Sequence, residues 1–307
     1  HLSVLSLGLK KGDRVITTPI TFAASANCVR YAGGEVWFAD IDPNTYLLDI
    51  NSVKELIESK PKGFFKGIIP VDFAGLPLNM EEFRVLADMH NLWIIEDACH
   101  APGGYFIDSK SEKNFCGNGN YSDIGVFSFH PVKHIACGEG GMITTNSKTL
   151  YDTLAALRTH GITKENLSET HGGWFYEMQE LGFNYRLTDI QSALGITQLA
   201  KNDQGVARRN EIAKIYNNKL KDSDLFEIPK SDPASRLKGF SRTATGFQSN
   251  VESPNQIKLI SVGGVATPNT FLEQRELRKL YLTLKVGDQV ISPIYPSGNA
   301  VVTSIQS

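Results

Sequence analysis

From Arg14 to Asn146 the chain repeats one pattern, a short apolar run followed by a stretch whose apolar residues recur at helical spacing. Arg14-Val15-Ile16-Thr17, Val36-Trp37-Phe38-Ala39, Gly67-Ile68-Ile69-Pro70-Val71-Asp72 and Leu92-Trp93-Ile94-Ile95-Glu96-Asp97 read as strands, each ending in or running into polar or turn-forming residues. Helical patterns lie between them, near Ala23 to Tyr31, Ser52 to Ser59 and Met80 to His90. Strands that alternate with helices are joined by crossovers, so the rhythm predicts an α/β fold with an open, mostly parallel sheet and helices on both faces.

Two further strands, Ile124-Gly125-Val126-Phe127-Ser128-Phe129 and Met142-Ile143-Thr144-Thr145, flank a Gly-rich turn that contains Lys133 and are expected to pair closely. Helices follow at Lys148 to Thr159 and from Leu187 through Leu220, with a break near Asp203-Gln204-Gly205. After Pro229 the composition shifts to Ser, Thr, Pro, Gly and Asn with only short β-like runs. The expected division is a large domain over 1–230 and an atypical tail over 231–307.

Charge and patterning narrow the partners. A net charge of −2 without a polybasic segment offers no field for a nucleic-acid backbone, so no nucleic acid is expected. No apolar stretch approaches the roughly 18 residues of a membrane span, and His1-Leu2-Ser3-Val4-Leu5 is no basic leader, which makes a cytoplasmic location the expectation. Cys28, Cys99, Cys116 and Cys137 lie far apart without a Cys-x-x-Cys pair and read as free thiols rather than a zinc or redox site. The chain opens on His1 inside an apolar helical pattern, as though its amino terminus once extended further.

Ligands of open α/β sheets gather at the carboxyl ends of the strands, which directs attention to three segments. They are Glu96-Asp97-Ala98-Cys99-His100, Ser128-Phe129-His130-Pro131-Val132-Lys133 and Gly182-Phe183-Asn184-Tyr185-Arg186. Lys133 precedes Gly138-Glu139-Gly140-Gly141, where small residues let backbone pass close to a ligand. Taken singly, each candidate has a plainer reading: Lys133 as a solvated turn residue, Asp97 as a helix N-cap, Phe22 as core, His100 as a hydrogen-bonded histidine, and Ser128 and Asn184 as turn formers.

Together, Phe127-Ser128-Phe129-His130-Pro131-Val132-Lys133 and Gly138-Glu139-Gly140-Gly141-Met142 strongly resemble the cofactor-lysine signature of the DegT/StrS-type sugar aminotransferases. The resemblance runs from about Leu2 to Lys221, with the motifs in the family's order. It implies the large domain of a fold type I aminotransferase that uses pyridoxal 5'-phosphate, with Lys133 carrying the cofactor as a Schiff base. Asp97 then looks like the carboxylate that faces the pyridinium nitrogen, Phe22 like the ring stacked on the cofactor, and His100 like the neighbour of its phenolic oxygen. Ser128 is similar to the hydroxyl donor near the phosphate. Asn184 resembles the amide that reaches the phosphate from a second subunit, which implies a homodimer with shared sites; Arg186 is a weaker candidate. The family's Ser/Thr/Gly/Ala phosphate segment before the first helix and its small carboxyl-terminal domain have no recognisable counterpart here.

Such a protein is expected to transfer an amino group, with glutamate as donor, to a nucleotide-linked keto-sugar, Lys133 acting as general acid and base. Val71-Asp72-Phe73-Ala74-Gly75, the Glu96 to Ala101 segment and Asn184 to Gly195 look closest to the branch that aminates C4 of a UDP-linked 4-keto-6-deoxy sugar in the pseudaminic acid pathway. The rival readings are a sugar 3-dehydratase, whose branch replaces the lysine by histidine, and a non-catalytic regulator on the same fold. An amino-acid aminotransferase needs an arginine for the substrate carboxylate, and Arg236, Arg242, Arg275 and Arg278 stand in no recognisable setting for it.

Overall fold

A computed structural model describes residues 1–164, 167 and 171–222, and past these only the backbone of short strand segments. The expected domain boundary at 230 and the four tail arginines lie outside the described residues.

The centre of the fold is a six-stranded sheet. Its strands are β1 (Arg14–Thr17), β2 (Glu35–Phe38), β3 (Gly67–Ile69), β4 (Trp93–Asp97), and, past the β5 (Tyr105–Ile107) and β6 (Lys113–Phe115) hairpin, β7 (Ile124–Ser128) and β8 (Gly141–Thr144). They lie in the order β2-β1-β3-β4-β7-β8. All neighbours run parallel except β8, which returns antiparallel to β7 with Ser128 opposite Gly141. The close pair expected around Lys133 is this antiparallel edge. Regular pairing of β3 stops at Ile69, short of the expected Asp72, because Pro70 offers no amide hydrogen; a single parallel bridge, Val71 to Asp97, continues beyond it.

Successive strand side chains point to opposite faces, and the doublets of the central strands divide accordingly. Ile16, Ile68 and Ile94 face one core with α3 (Ile50–Glu58) and α4 (Met80–His90), through Val53, Ile57, Met80, Phe83 and Leu86. Val15, Ile69 and Ile95 face the other, with Ile124, against α1 (Leu2–Ser6), α2 (Ala24–Tyr31) and α5 (Lys148–Arg158). A sheet covered on both faces explains why its strands read as continuous apolar runs.

Local chemistry sets the helix ends. Asp49 and Ser147 accept amide hydrogens at the starts of α3 and α5, and Asn91 closes α4 in the left-handed conformation that asparagine tolerates. After the short β9 (Ile162–Thr163) and β10 (Glu177–Met178), Thr188 and Gln191 form a reciprocal capping box that starts α6 (Asp189–Leu199). The helix α7 (Asn202–Leu220) follows directly, so the break falls at Ala200 and Lys201, just before the expected glycine.

Candidate active site

Four connections leave the carboxyl ends of adjacent parallel strands and converge on one edge of the sheet: Thr18 to Ala23 after β1, Pro70 to Asn79 after β3, Ala98 to Gly104 after β4, and Phe129 to Gly140 after β7. Phe22, Asp97, His100, Ser128 and Lys133 all stand on these segments or at the strand ends that feed them.

Asp97 is the last residue of β4. Its carboxylate accepts the Ser25 hydroxyl at 2.7 Å and the Cys99 amide at 3.1 Å. Ser25 sits in the first turn of α2, at the positive end of its aligned peptide dipoles, a suitable setting for a carboxylate. The Thr21 hydroxyl lies 2.8 Å from that of Ser25 and extends the network towards Phe22. Asp97 therefore caps no helix of its own; its oxygens are held by a neighbouring helix and by the turn that follows it.

Lys133 is half-buried in the connection after β7. Burial pushes its ammonium below the ordinary lysine range, while the neighbouring Cys99 and Asp97 act in the opposite sense. Asp97 and Cys99 are thus within electrostatic reach of the amine, as expected of residues that follow the carboxyl ends of the neighbouring strands β4 and β7. It is no solvated turn residue.

His100 is 9% exposed. Its Nδ1 accepts the Ala74 amide at 3.3 Å, which leaves Nε2 to carry the ring hydrogen. Burial, and then the Lys133 cation, push its imidazolium down to about 4, with Asp97 opposing, so the ring is neutral near pH 7. Cys99 is driven well above the ordinary thiol range, by burial first and by Asp97 second, and stays protonated.

Phe22 is 75% exposed and is thus not part of the core. Ser128 ends β7, its hydroxyl accepting the His130 amide at 3.3 Å. In the connection that follows, Gly138 and Gly140 take positive φ, and a side chain at Gly140 would run into Leu187. Asn184 stands apart from this group. It is exposed and bridges to Thr159 at the end of α5, on a segment where Gly161 and Gly182 pass so closely that neither has room for a Cβ.

Two contributors carry no sequence signature. Ser25 is one; its only cue is its place in the first turn of the helix after β1, which a parallel sheet directs to the ligand edge. The other is a buried pair beneath Asp97, formed by Asp72 and Glu96, residues brought together by strand order rather than by spacing.

Residues 1–270 match the DegT/DnrJ/EryC1/StrS aminotransferase family. A UDP-4-amino-4,6-dideoxy-N-acetyl-beta-L-altrosamine transaminase of Campylobacter jejuni is 39% identical over 231 residues, 75% of this chain and 57% of that protein. The GDP-perosamine synthase of Escherichia coli O157:H7 is 36% identical over 230 residues, again 75% of this chain and 57% of that protein. Among solved structures, the Helicobacter pylori PseC aminotransferase, involved in biosynthesis of pseudoaminic acid, superposes with a TM-score of 0.68 at 29% identity, covering 81% of this chain and 62% of that one. The chain thus spans about 57% of the length of the curated relatives it matches.

Proposed function

This chain belongs to the DegT/DnrJ/EryC1/StrS aminotransferase family, and from that premise we propose that it forms the cofactor-binding part of a pyridoxal-phosphate-dependent sugar-nucleotide aminotransferase. The substrates of this reading are glutamate as amino donor and a UDP-linked 4-keto-6-deoxy sugar as acceptor, with the amine delivered to C4. The named activity of the Campylobacter relative supports the sugar class.

One observation carries the reading: Asp97 at the end of β4, His100 just after it and Lys133 in the connection after the adjacent β7 share the carboxyl edge of the sheet, with Lys133 within electrostatic reach of Asp97 and His100. The donor set fits the cofactor. An amine for its aldehyde, a carboxylate for its ring nitrogen, an exposed aromatic ring for stacking and a hydroxyl near its phosphate are all supplied, by Lys133, Asp97, Phe22 and Ser128 respectively. When bound, pyridoxal phosphate supplies an electron sink for charge developing on carbon.

The rest is done by the chain. Partial burial raises the fraction of Lys133 that is neutral, the form able to attack a carbonyl and later to take and return a proton at Nζ. Asp97, held by Ser25 and Cys99, presents a fixed negative charge rather than a mobile one. His100 offers an Nε2–H donor whose state does not change across the neutral range.

A homodimer is part of this reading. The helix α6 buries none of its residues, and Ile190, Leu194, Ile196 and Leu199 are all exposed, with Ile190 at 85%. An apolar surface of this kind marks an interface, and the exposed Asn184 on the adjoining segment is free to reach the site of a second copy.

The test is direct. Purified protein given pyridoxal phosphate is expected to develop the absorbance of lysine-bound cofactor, and to form an amino-sugar from glutamate and a UDP-linked 4-keto-6-deoxy sugar. Lys133→Ala is expected to lose both. Equal lysine-bound absorbance in the alanine variant overturns the assignment of Lys133.

A further inference from the structure

Beneath the candidate site lies a polar group in an otherwise apolar setting. Asp72 is fully buried, Glu96 is 3% exposed, and the Cys116 thiol completes a cluster whose ligand atoms all lie within 4.8 Å of one another. Backbone bonds tie this cluster to the site: the Asp72 amide donates to the Asp97 carbonyl at 3.1 Å, and the Asp97 amide donates to the Pro70 carbonyl at 2.9 Å.

The hydrogen bonds of the two carboxyls are unequal. Both Glu96 oxygens have a donor, the Gly117 amide at 2.8 Å and the Ser122 hydroxyl at 3.1 Å. One Asp72 oxygen, Oδ1, accepts the Leu78 amide at 2.9 Å. The other, Oδ2, has no partner at ordinary hydrogen-bond geometry; Glu96 and the weak donor Cys116 are its polar neighbours.

We propose that Asp72 and Glu96 hold a single proton between them, resident on Asp72 Oδ2, and that Asp72 in this neutral form is a positioning residue for His100. Two ionised carboxylates at this separation in a dry core would repel without compensation, so one must be neutral. Besides each other, the groups acting on the pair are neutral donors, the Leu78 amide and the Cys116 thiol on Asp72 and the Gly117 amide and the Ser122 hydroxyl on Glu96, together with the Asp97 carboxylate; none of them is a cation. A charged oxygen without a donor is costly, whereas a carboxylic acid there can point its O–H at Glu96. Glu96, supplied with two donors, is equipped to carry the negative charge. Burial raises both groups above the ordinary carboxyl range, in keeping with a proton held by the pair.

The consequence reaches the site through one turn. Between Asp72 and Leu78 the chain makes a tight turn in which Ala74 has φ +55°, a left-handed conformation uncommon for a residue with a Cβ. The bond from the Leu78 amide to Asp72 Oδ1 spans this turn. Ala74 is also the residue whose amide donates to His100 Nδ1 and so selects the Nε2–H form of the imidazole.

This inference concerns residues of the chain alone and can be tested without cofactor or substrate, so its failure and that of the proposed reaction are distinguishable. Infrared spectra of the full 307-residue chain at neutral pH are expected to show the carbonyl band of a buried carboxylic acid. The band should shift on carboxyl-carbon labelling of aspartate but not of glutamate, vanish in Asp72→Asn and persist in Glu96→Gln. No band at all, a band that moves with labelled glutamate, or one that survives Asp72→Asn overturns the proton assignment. Nitrogen NMR should find His100 neutral with hydrogen on Nε2 from about pH 6 to about pH 9, in the wild type and in Asp72→Asn alike. In Asp72→Ala, which deletes the bond to Leu78, that form should be lost; an alanine variant with an unchanged His100 spectrum overturns the positioning role.

Discussion

His100 allows a quantitative test of how its surroundings act on it. In the native chain its imidazolium is pushed down to about 4, chiefly by burial, against an ordinary value of 6.5. The unfolded chain therefore takes up a proton at His100 as pH falls through 6.5, while the native chain does not until about 4. Stability from the neutral ring is fully present above pH 6.5 and is lost as pH falls from there towards about 4. At 1.36 kcal/mol per unit, acidification from pH 7.5 to pH 4.5 costs about 2.5 kcal/mol through this one residue. Replacement by glutamine, which keeps polar atoms in the pocket but has no charge to gain, should remove that loss. The assay is urea unfolding at half-unit pH steps for wild type and His100→Gln, with the slope against denaturant confirming that the same surface is exposed. Asp72 contributes with the opposite sign, because its raised native pKa favours the folded chain in acid, but it is common to both proteins and cancels in the difference. Parallel stability curves for the two proteins over this range would refute the reasoning.

Other outcomes follow from the same structure. Ser25→Ala removes the hydroxyl donor of Asp97 and should lower stability by about 1–3 kcal/mol, the usual cost of leaving a partly buried acceptor unpaired, read from the urea midpoint. Gly67→Ala drives a methyl group into the Trp93 ring, which covers this glycine, and should destabilise by about 1–3 kcal/mol or abolish folding; a variant as stable as wild type would show that the ring is free to move. Ile190→Asp puts a charge on the exposed face of α6 and should shift the protein from dimer to monomer in sedimentation, whereas a wild-type chain that is already monomeric contradicts the shared-site reading.

The parallel sheet was legible because its strands are buried on both faces, so apolar doublets such as Val15-Ile16 and Ile94-Ile95 stand out against the helical spacing of the segments between them. The end of α4 was legible at His90-Asn91, whereas the start of α3 was read at Ser52, past its cap at Asp49. The β5 and β6 hairpin was not, since Lys113-Asn114-Phe115 has neither an apolar run nor a tight-turn signature; Asp108 holds the hairpin's loop through the amides of Lys110 and Glu112. At the candidate site, the placement of Asp97 at the end of a strand and of Lys133 in the turn after one could be read from the sequence. The Asp72, Glu96 and Cys116 cluster could not, because its members come from three separate segments: strand order brings Asp72 and Glu96 together, and the hairpin packed beside them adds Cys116. Ser25 belongs to the same category: a serine in a first helical turn is common, and its meaning comes from the strand that ends opposite it.

The crossing of Gly161 and Gly182 bears on the arm that carries Asn184. Main chain rests directly on main chain there, with a backbone bond from the His160 amide to the Phe183 carbonyl beside it. The arm is thus riveted at a point that involves no side-chain fit. Residues further out along it can vary without altering where it leaves the body of the protein, whereas any substitution at either glycine would swing the whole arm, and Asn184 with it.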